Sequence, residues 1–154
     1  MIDLQELEAL KQLKYKYMRA VDTKDFDLLE STLTADACAS YDSGKYAFDG
    51  RDAIMAFLKE GMANIITLHQ LHHPEIEIEG ATATGIWYLQ DFVITPDNSF
   101  RLEGAAFYHD EYKKVDGQWL ISKIGYERTY EMSAIGDEKL KLVQDRFGFV
   151  KSEQ

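Results

Sequence analysis

Residues 65–131 read IITLHQLHHPEIEIEGATATGIWYLQDFVITPDNSFRLEGAAFYHDEYKKVDGQWLISKIGYERTYE. Four runs within them, Ile65–Glu79, Ala83–Thr95, Ser99–Val115 and Gln118–Glu131, carry the two-residue alternation of a pleated strand. They also have the Val, Ile, Tyr, Phe, Trp and Thr content that suits one. Gly80, Pro96-Asp97-Asn98 and Asp116-Gly117 punctuate the runs, and the last pair is a strong two-residue hairpin signal. A curved antiparallel sheet of long strands has one face to bury, and the segments before it are its expected cover.

One row of that sheet is chemically odd. In Ala83–Thr95 the odd positions include Trp87, Leu89, Asp91 and Val93, an apolar row interrupted by a carboxylate. A carboxylate on a core-facing row needs a partner or a task. The sheet is therefore expected to line a pocket whose polar residues are the functional candidates.

Upstream, Leu4, Leu7, Leu10, Leu13, Tyr17, Ala20 and Val21 recur at three- and four-residue steps and predict a helix over residues 3–21. Asp3 is its expected N-cap, with Glu6 three residues on completing a capping-box-like pair. Asp25 should cap a second short helix, Phe26–Leu33. Ala37–Tyr41 and Lys45–Phe48 flank Asp42-Ser43-Gly44 as a small hairpin. Asp49-Gly50-Arg51-Asp52 then opens a third helix, with Ile54, Phe57, Leu58 and Met62 on its apolar stripe. Past the strands, Leu140, Val143, Phe147 and Val150 give residues 137–150 helical spacing. No repeat or linker interrupts the chain, so 1–154 reads as one domain, with a core over about 5–132 and a tail over 133–154. The class is α+β: a strongly bent sheet wrapped around the N-terminal helices to form a cone with one open end.

The composition narrows the function. A hydrophobic content of 45%, with nine Tyr and eight Phe, supplies a core and the walls of a cavity. The 27 acidic residues outnumber 17 basic ones and no basic stripe occurs, which argues against nucleic acid and against an anionic membrane surface. The single Cys38 excludes an intramolecular disulfide and reads as a small core residue. The N-terminus is acidic and amphipathic rather than signal-like, and no run approaches the ~20 apolar residues of a spanning helix. A cytoplasmic location is expected.

The candidates for chemistry are Tyr17, Asp22, Tyr41, His69, His72, His73, Asp91 and Arg128. Taken alone, Tyr17 reads as a core tyrosine and Asp22 as a helix-end aspartate. His69 and His73 share a strand face while His72 points the other way, and Pro74 marks a bulge or strand end that can re-aim a ring. The histidines read either as hydrogen-bonded core and rim residues or as a base. A metal triad of two histidines with Asp91 is disfavoured, because facial ligands from one strand at that spacing are geometrically awkward. A neutral His oriented by a carboxylate, facing an apolar cavity beside a tyrosine hydroxyl, suits proton abstraction next to a carbonyl. Asp22 or Asp91 would hold the imidazole. Arg128, on the parity of Tyr126 and Tyr130, is either surface-paired or reaches an anionic substrate group at the cone mouth.

These residues, in their order, resemble the SnoaL-like branch of the cone-shaped superfamily that holds polyketide cyclases, scytalone dehydratase and ketosteroid isomerase. The matching segments are residues 16–22, 40–45, 69–76, 83–91, 104–108 and 125–130. Within the branch they are most similar to bile-acid 7-alpha-dehydratases, although Gln90 stands where those enzymes carry an acid. The resemblance implies catalytic Tyr17, Asp22, His69 and Asp91, and a pocket that also uses Tyr41, His72, Trp87, Leu89, Tyr108 and Arg128. It further implies no cofactor or metal, a small hydrophobic substrate and a homotrimer. The expected activity is dehydration of a hydroxylated steroid, bile-acid-like molecule or polycyclic ketone. An isomerase or cyclase on the same pocket, or a non-catalytic binding subunit, is the alternative.

Overall fold

The computed structural model describes residues 3–95 and 99–136. The Pro96-Asp97-Asn98 turn and the helical spacing read in residues 137–150 lie outside the described residues. The chain runs α1 (Leu4–Thr23), α2 (Phe26–Ser31), β1 (Leu33–Tyr41), β2 (Tyr46–Asp49) and α3 (Arg51–Met62). Four long strands follow: β3 (Ile66–Glu79), β4 (Thr82–Ile94), β5 (Phe100–Val115) and β6 (Gln118–Ile135).

Local signals act largely as expected. The Asp3 carboxylate accepts from the backbone N–H groups of Gln5 and Glu6, and Asp25 accepts from that of Leu28. The capping box is not closed, however. The Glu6 carboxylate turns away to Trp119 Nε1 and Lys114 Nζ, each at 2.5 Å, and so ties the start of α1 to the β5–β6 hairpin. The predicted second helix stops early, because Thr32 folds its hydroxyl back onto the Leu29 carbonyl at 2.6 Å and Leu33 already pairs with Ile121. β1 therefore begins at Leu33 rather than Ala37. Asp116 and Gly117 adopt φ of 49° and 82°, the left-handed pair that a tight hairpin turn requires.

The sheet order is β2-β1-β6-β5-β4-β3. β3 to β6 pair antiparallel in a meander, as their alternation predicts. The long strands thus form the antiparallel sheet expected, and it is the added β1, joined parallel to β6, that makes the whole curved, unclosed sheet mixed. No hairpin links β1 to β6. α3 and three long strands intervene, so turn geometry does not dictate their relative direction. Gly125 allows the junction, because a Cβ there would stand 2.4 Å from the Ser40 carbonyl oxygen.

α1 lies against the sheet's inner face. Leu10, Leu13, Tyr17, Met18 and Val21 join Trp87, Leu89, Tyr108, Tyr112 and Ile121 in one buried cluster. At about 25 cal/mol per Å² of apolar area removed from water, such side chains contribute roughly 1.5–3 kcal/mol each. Burial alternates along β4 as the sequence pattern requires, with Ala83, Gly85, Trp87, Leu89 and Asp91 inside. Among the described residues no helix is long and apolar enough to cross a membrane.

Candidate active site

The end of α1 and the edge strand β3 are joined by a single carboxylate. Asp22 Oδ1 lies 2.6 Å from His69 Nδ1 and accepts the Thr67 hydroxyl at 2.8 Å. Its Oδ2 accepts the His69 backbone N–H at 2.9 Å. Lys24 Nζ in turn donates to the Thr67 hydroxyl at 3.0 Å. With Asp22 as the acceptor, Nδ1 carries the proton and Nε2 keeps its lone pair. Nε2 has no hydrogen-bond partner among the described residues.

His69 is one wall of a cavity of about 150 Å³ inside the cone. Tyr17, Tyr41, Leu89, Asp91, Tyr108 and Arg128 line the same space. Apolar closure comes from Phe57, Leu58 and Met62 of α3, with Val93 beside them. The hydroxyls of Tyr17 and Tyr41 meet at 3.1 Å. Burial first, and then the neighbouring Tyr41 and Tyr108 hydroxyls, raises the Tyr17 phenol well above its ordinary 10.0. Burial also raises Tyr41 and Tyr108. All three are neutral donors at physiological pH.

Asp91 is matched by Arg128 in a bidentate pair, Nη1 to Oδ1 at 2.5 Å and Nη2 to Oδ2 at 2.8 Å. Arg128 Nε stands 3.3 Å from Glu131 Oε2. The two terminal nitrogens of the guanidinium are thus committed to Asp91, while Nε, buried without a hydrogen-bond partner, faces the Glu131 charge. Both Asp91 oxygens accept, so the carboxylate serves as an anchor. A β-bulge falls between the register pairs Ala105–Tyr130 and Ala106–Arg128. It shifts the parity of β6, so Tyr130 is 44% exposed and Glu131, not Tyr130, meets Arg128. Gly104, directly across from Asp91, leaves room for the guanidinium: a Cβ there would lie 2.6 Å from Arg128 Nη1.

Two expected pocket residues stand elsewhere. His72 is exposed on the outer face, because strand alternation opposes it to His69. The bulge after it turns His73 outward too, edge-on to Tyr88 at 5.5 Å. Trp87 is fully buried behind the cavity, where its Nε1–H donates to the Tyr112 hydroxyl at 2.8 Å. That hydroxyl donates to Asp110 Oδ2, also at 2.8 Å. Asp110 pairs with Lys14 at 2.7 Å, both side chains wholly buried, and Lys14 Nζ sits 3.6 Å from the Tyr108 ring centroid. Burial pushes the Lys14 ammonium down and the Asp110 carboxyl up, each opposed by the other's charge. Sequence reading missed this pair, although its signal was present. Asp110 interrupts the row Ala106, Tyr108, Tyr112 as Asp91 interrupts its own, and Lys14 sits on the apolar stripe of α1.

Among the described residues, no three His, Cys, Asp or Glu side chains gather as ligands for a metal. A larger depression of about 340 Å³ near Glu77, Glu79 and Glu111 is open to solvent and holds none of the candidate residues.

The profile of the SnoaL-like domain matches residues 3–124. Similar solved structures include a candidate aromatic ring hydroxylase from Novosphingobium aromaticivorans, 20% identical with a TM-score of 0.80, over 87% of this chain and 96% of that one. A candidate scytalone dehydratase from the same organism is 20% identical with a TM-score of 0.78, over 90% of this chain and 96% of that one. A hexachlorocyclohexane dehydrochlorinase, LinA type 3 from Novosphingobium barchaimii LL02, is 19% identical with a TM-score of 0.78, over 90% and 97%. The chain belongs to the SnoaL-like family.

Proposed function

We propose that this SnoaL-like protein is a cofactor-independent lyase that removes water from a hydroxylated cyclic ketone, with His69 as the base. The observation that carries the reading is the Asp22–His69 hydrogen bond on the wall of an aromatic cavity that also holds paired tyrosine hydroxyls. His69 Nε2 would take the proton on the carbon beside the carbonyl, and Asp22 would stabilise the imidazolium that forms. The electrons move onto the carbonyl oxygen, where Tyr17, paired with Tyr41, donates to the enolate. The enolate then re-forms its carbonyl and expels the β-hydroxyl, which leaves as water on taking a proton from the imidazolium or a tyrosine hydroxyl. Asp91 and Arg128 would hold the far wall and the orientation of the ring. The names of two structural neighbours, a dehydrochlorinase and a candidate dehydratase, support an elimination.

The finer expectation, a steroid or bile-acid-like substrate, belongs to the same proposal, as do a homotrimer, which sedimentation would measure, and a cytoplasmic location. Incubation with hydroxylated 3-oxo-4-ene steroids and smaller hydroxyketones, read by mass, tests it. Loss of one water that falls about 100-fold or more in His69→Ala is the expected result, since a general base is usually worth at least that much. Turnover unchanged in His69→Ala would remove the mechanism. Conversion without a mass change would indicate an isomerase or cyclase. Binding without any product would indicate a carrier.

A further inference from the structure

The interior cavity measures about 150 Å³. An apolar cavity of ~150 Å³ holds a molecule the size of benzene, whereas pockets for drug-sized ligands run to about 300–1,000 Å³. We propose that this site admits one six-membered ring. Its substrate is then a monocyclic ketone or a larger molecule that presents only a terminal ring, and a hydroxyl on an inner ring of a fused nucleus is out of reach. The chemistry rests on the elimination proposed above; the size selection rests on the cavity alone.

The walls explain why a second ring cannot enter by pushing deeper. Phe57 stacks against Tyr41 with centroids 5.9 Å apart and packs on Phe48 at 4.5 Å. Tyr126 contacts Tyr41 at 5.8 Å and Tyr108 edge-on at 5.6 Å. Tyr108 lines the cavity, and the buried Lys14 ammonium, which does not line it, lies 3.6 Å from the centroid of the Tyr108 ring. Displacing Tyr108 would uncover a charge pair whose side chains are wholly buried, a far costlier change than shifting an apolar side chain. Extra rings are therefore left outside the cavity, beside Tyr46, which is 41% exposed, with half-buried Met62 and Val93, or in the open depression of about 330 Å³ that His69 and Met18 also line with Tyr15, Asp22 and Leu71.

The lining also sets what the ring carries. Its polar groups, His69, the Tyr17 and Tyr41 hydroxyls and the Asp91–Arg128 pair, share the lining with the apolar side chains of Phe57, Leu58, Met62, Leu89 and Val93. The matching occupant is a ring that carries oxygens for the polar groups and bare carbons for the apolar side chains. The guanidinium is already neutralised by Asp91 and Glu131, so the ring that enters carries no anionic substituent.

The test compares 3-hydroxycyclohexanone with a 3-oxo-4-ene steroid hydroxylated on its second ring, using the full-length protein and reading loss of water by mass. The expected result is a kcat/KM for the monocycle at least about tenfold higher, because a filled pocket rejects added bulk by about 10–200-fold per group. Equal or faster turnover of the inner-ring steroid overturns the proposal. If neither is turned over, the elimination reading fails, and size selection is then decided by binding to His69→Gln. Two-dimensional NMR with 2-cyclohexen-1-one should shift resonances of Tyr17 and Tyr108, while the steroid, whose terminal ring alone can enter, should add shifts at mouth residues such as Tyr46 and Met62. Steroid shifts at Tyr17 and Tyr108 without any from the monocycle would overturn it.

Discussion

His69 Nδ1 and Asp22 Oδ1 stand 2.6 Å apart across 47 positions of sequence, and the same carboxylate accepts the backbone N–H of His69 at 2.9 Å. Asp22 thus fixes the tautomer of the imidazole and its seat on the edge strand. Asp22→Asn replaces an acceptor-only group with one that can offer N–H to Nδ1, which would turn the ring's lone pair away from the cavity. Dehydration is expected to fall by about 100-fold or more, with binding of a product-like ketone little changed. Steady-state kinetics beside a binding titration separates the two effects, and an equal loss in both would argue for simple misfolding.

Tyr17→Phe removes one donor and leaves the ring's packing. A drop in kcat of about 100-fold, typical of one lost oxyanion donor, is expected, while stability should change by only about 1 kcal/mol. Because burial raises Tyr17 above 10.0, its neutral, donating form persists past that pH. The wild-type rate should therefore show no loss from tyrosinate formation below pH 10.0. An alkaline decline that vanishes in Tyr17→Phe would contradict this.

Gly104→Ala puts a Cβ 2.6 Å from Arg128 Nη1 and 2.9 Å from the Tyr130 carbonyl oxygen. The guanidinium must leave Asp91. Gly104→Ala and Arg128→Ala should each impair turnover, and the double variant should be no worse than Arg128→Ala alone, since both singles break the same pair. A full double-mutant cycle checks this, with additive losses as the contrary outcome.

Lys14→Met leaves the Asp110 charge buried without its partner and should destabilise the fold by about 3–5 kcal/mol. Lys14→Met combined with Asp110→Leu should recover most of that loss, because an apolar pair needs no solvation. Urea unfolding of the wild type and the two variants measures the recovery. If the double variant were the least stable of the set, the pair would be a net contributor to stability.

The Glu6 carboxyl is held below its ordinary 4.5, first by Lys114 and then by Trp119. A depressed folded value means that the clasp stabilises above about pH 4.5 and is lost as pH falls through the lower, folded value. Trp119 fluorescence should change in that acidic window, and the change should be absent in Glu6→Gln. Fluorescence insensitive to both pH and the substitution would show that Glu6 does not hold the hairpin.

The sequence by itself determined the elements and their inward faces. The alternation around Asp91, the stripe on α1, the caps Asp3 and Asp25 and the Asp116-Gly117 turn each follow from backbone sterics acting over a few residues. Tyr17, Tyr41, Leu89, Asp91, Tyr108 and Arg128 stand around one cavity, and the family resemblance named His69, Asp22 and Asp91 without deciding which carboxylate holds the imidazole; the fold gives it to Asp22.

Only the tertiary structure decided which groups meet. A bulge of one residue in β6 sends Tyr130 outward and brings Glu131 to Arg128, against the parity read from the sequence. His72 and Trp87 were assigned to the pocket, yet strand alternation exposes one and a Tyr112 hydrogen bond holds the other behind the cavity wall. The Lys14–Asp110 pair and the parallel β1–β6 junction join segments that no local pattern relates. Periodicity fixes which way a side chain points. The register between distant strands, set by packing and by every bulge along the way, fixes what it touches.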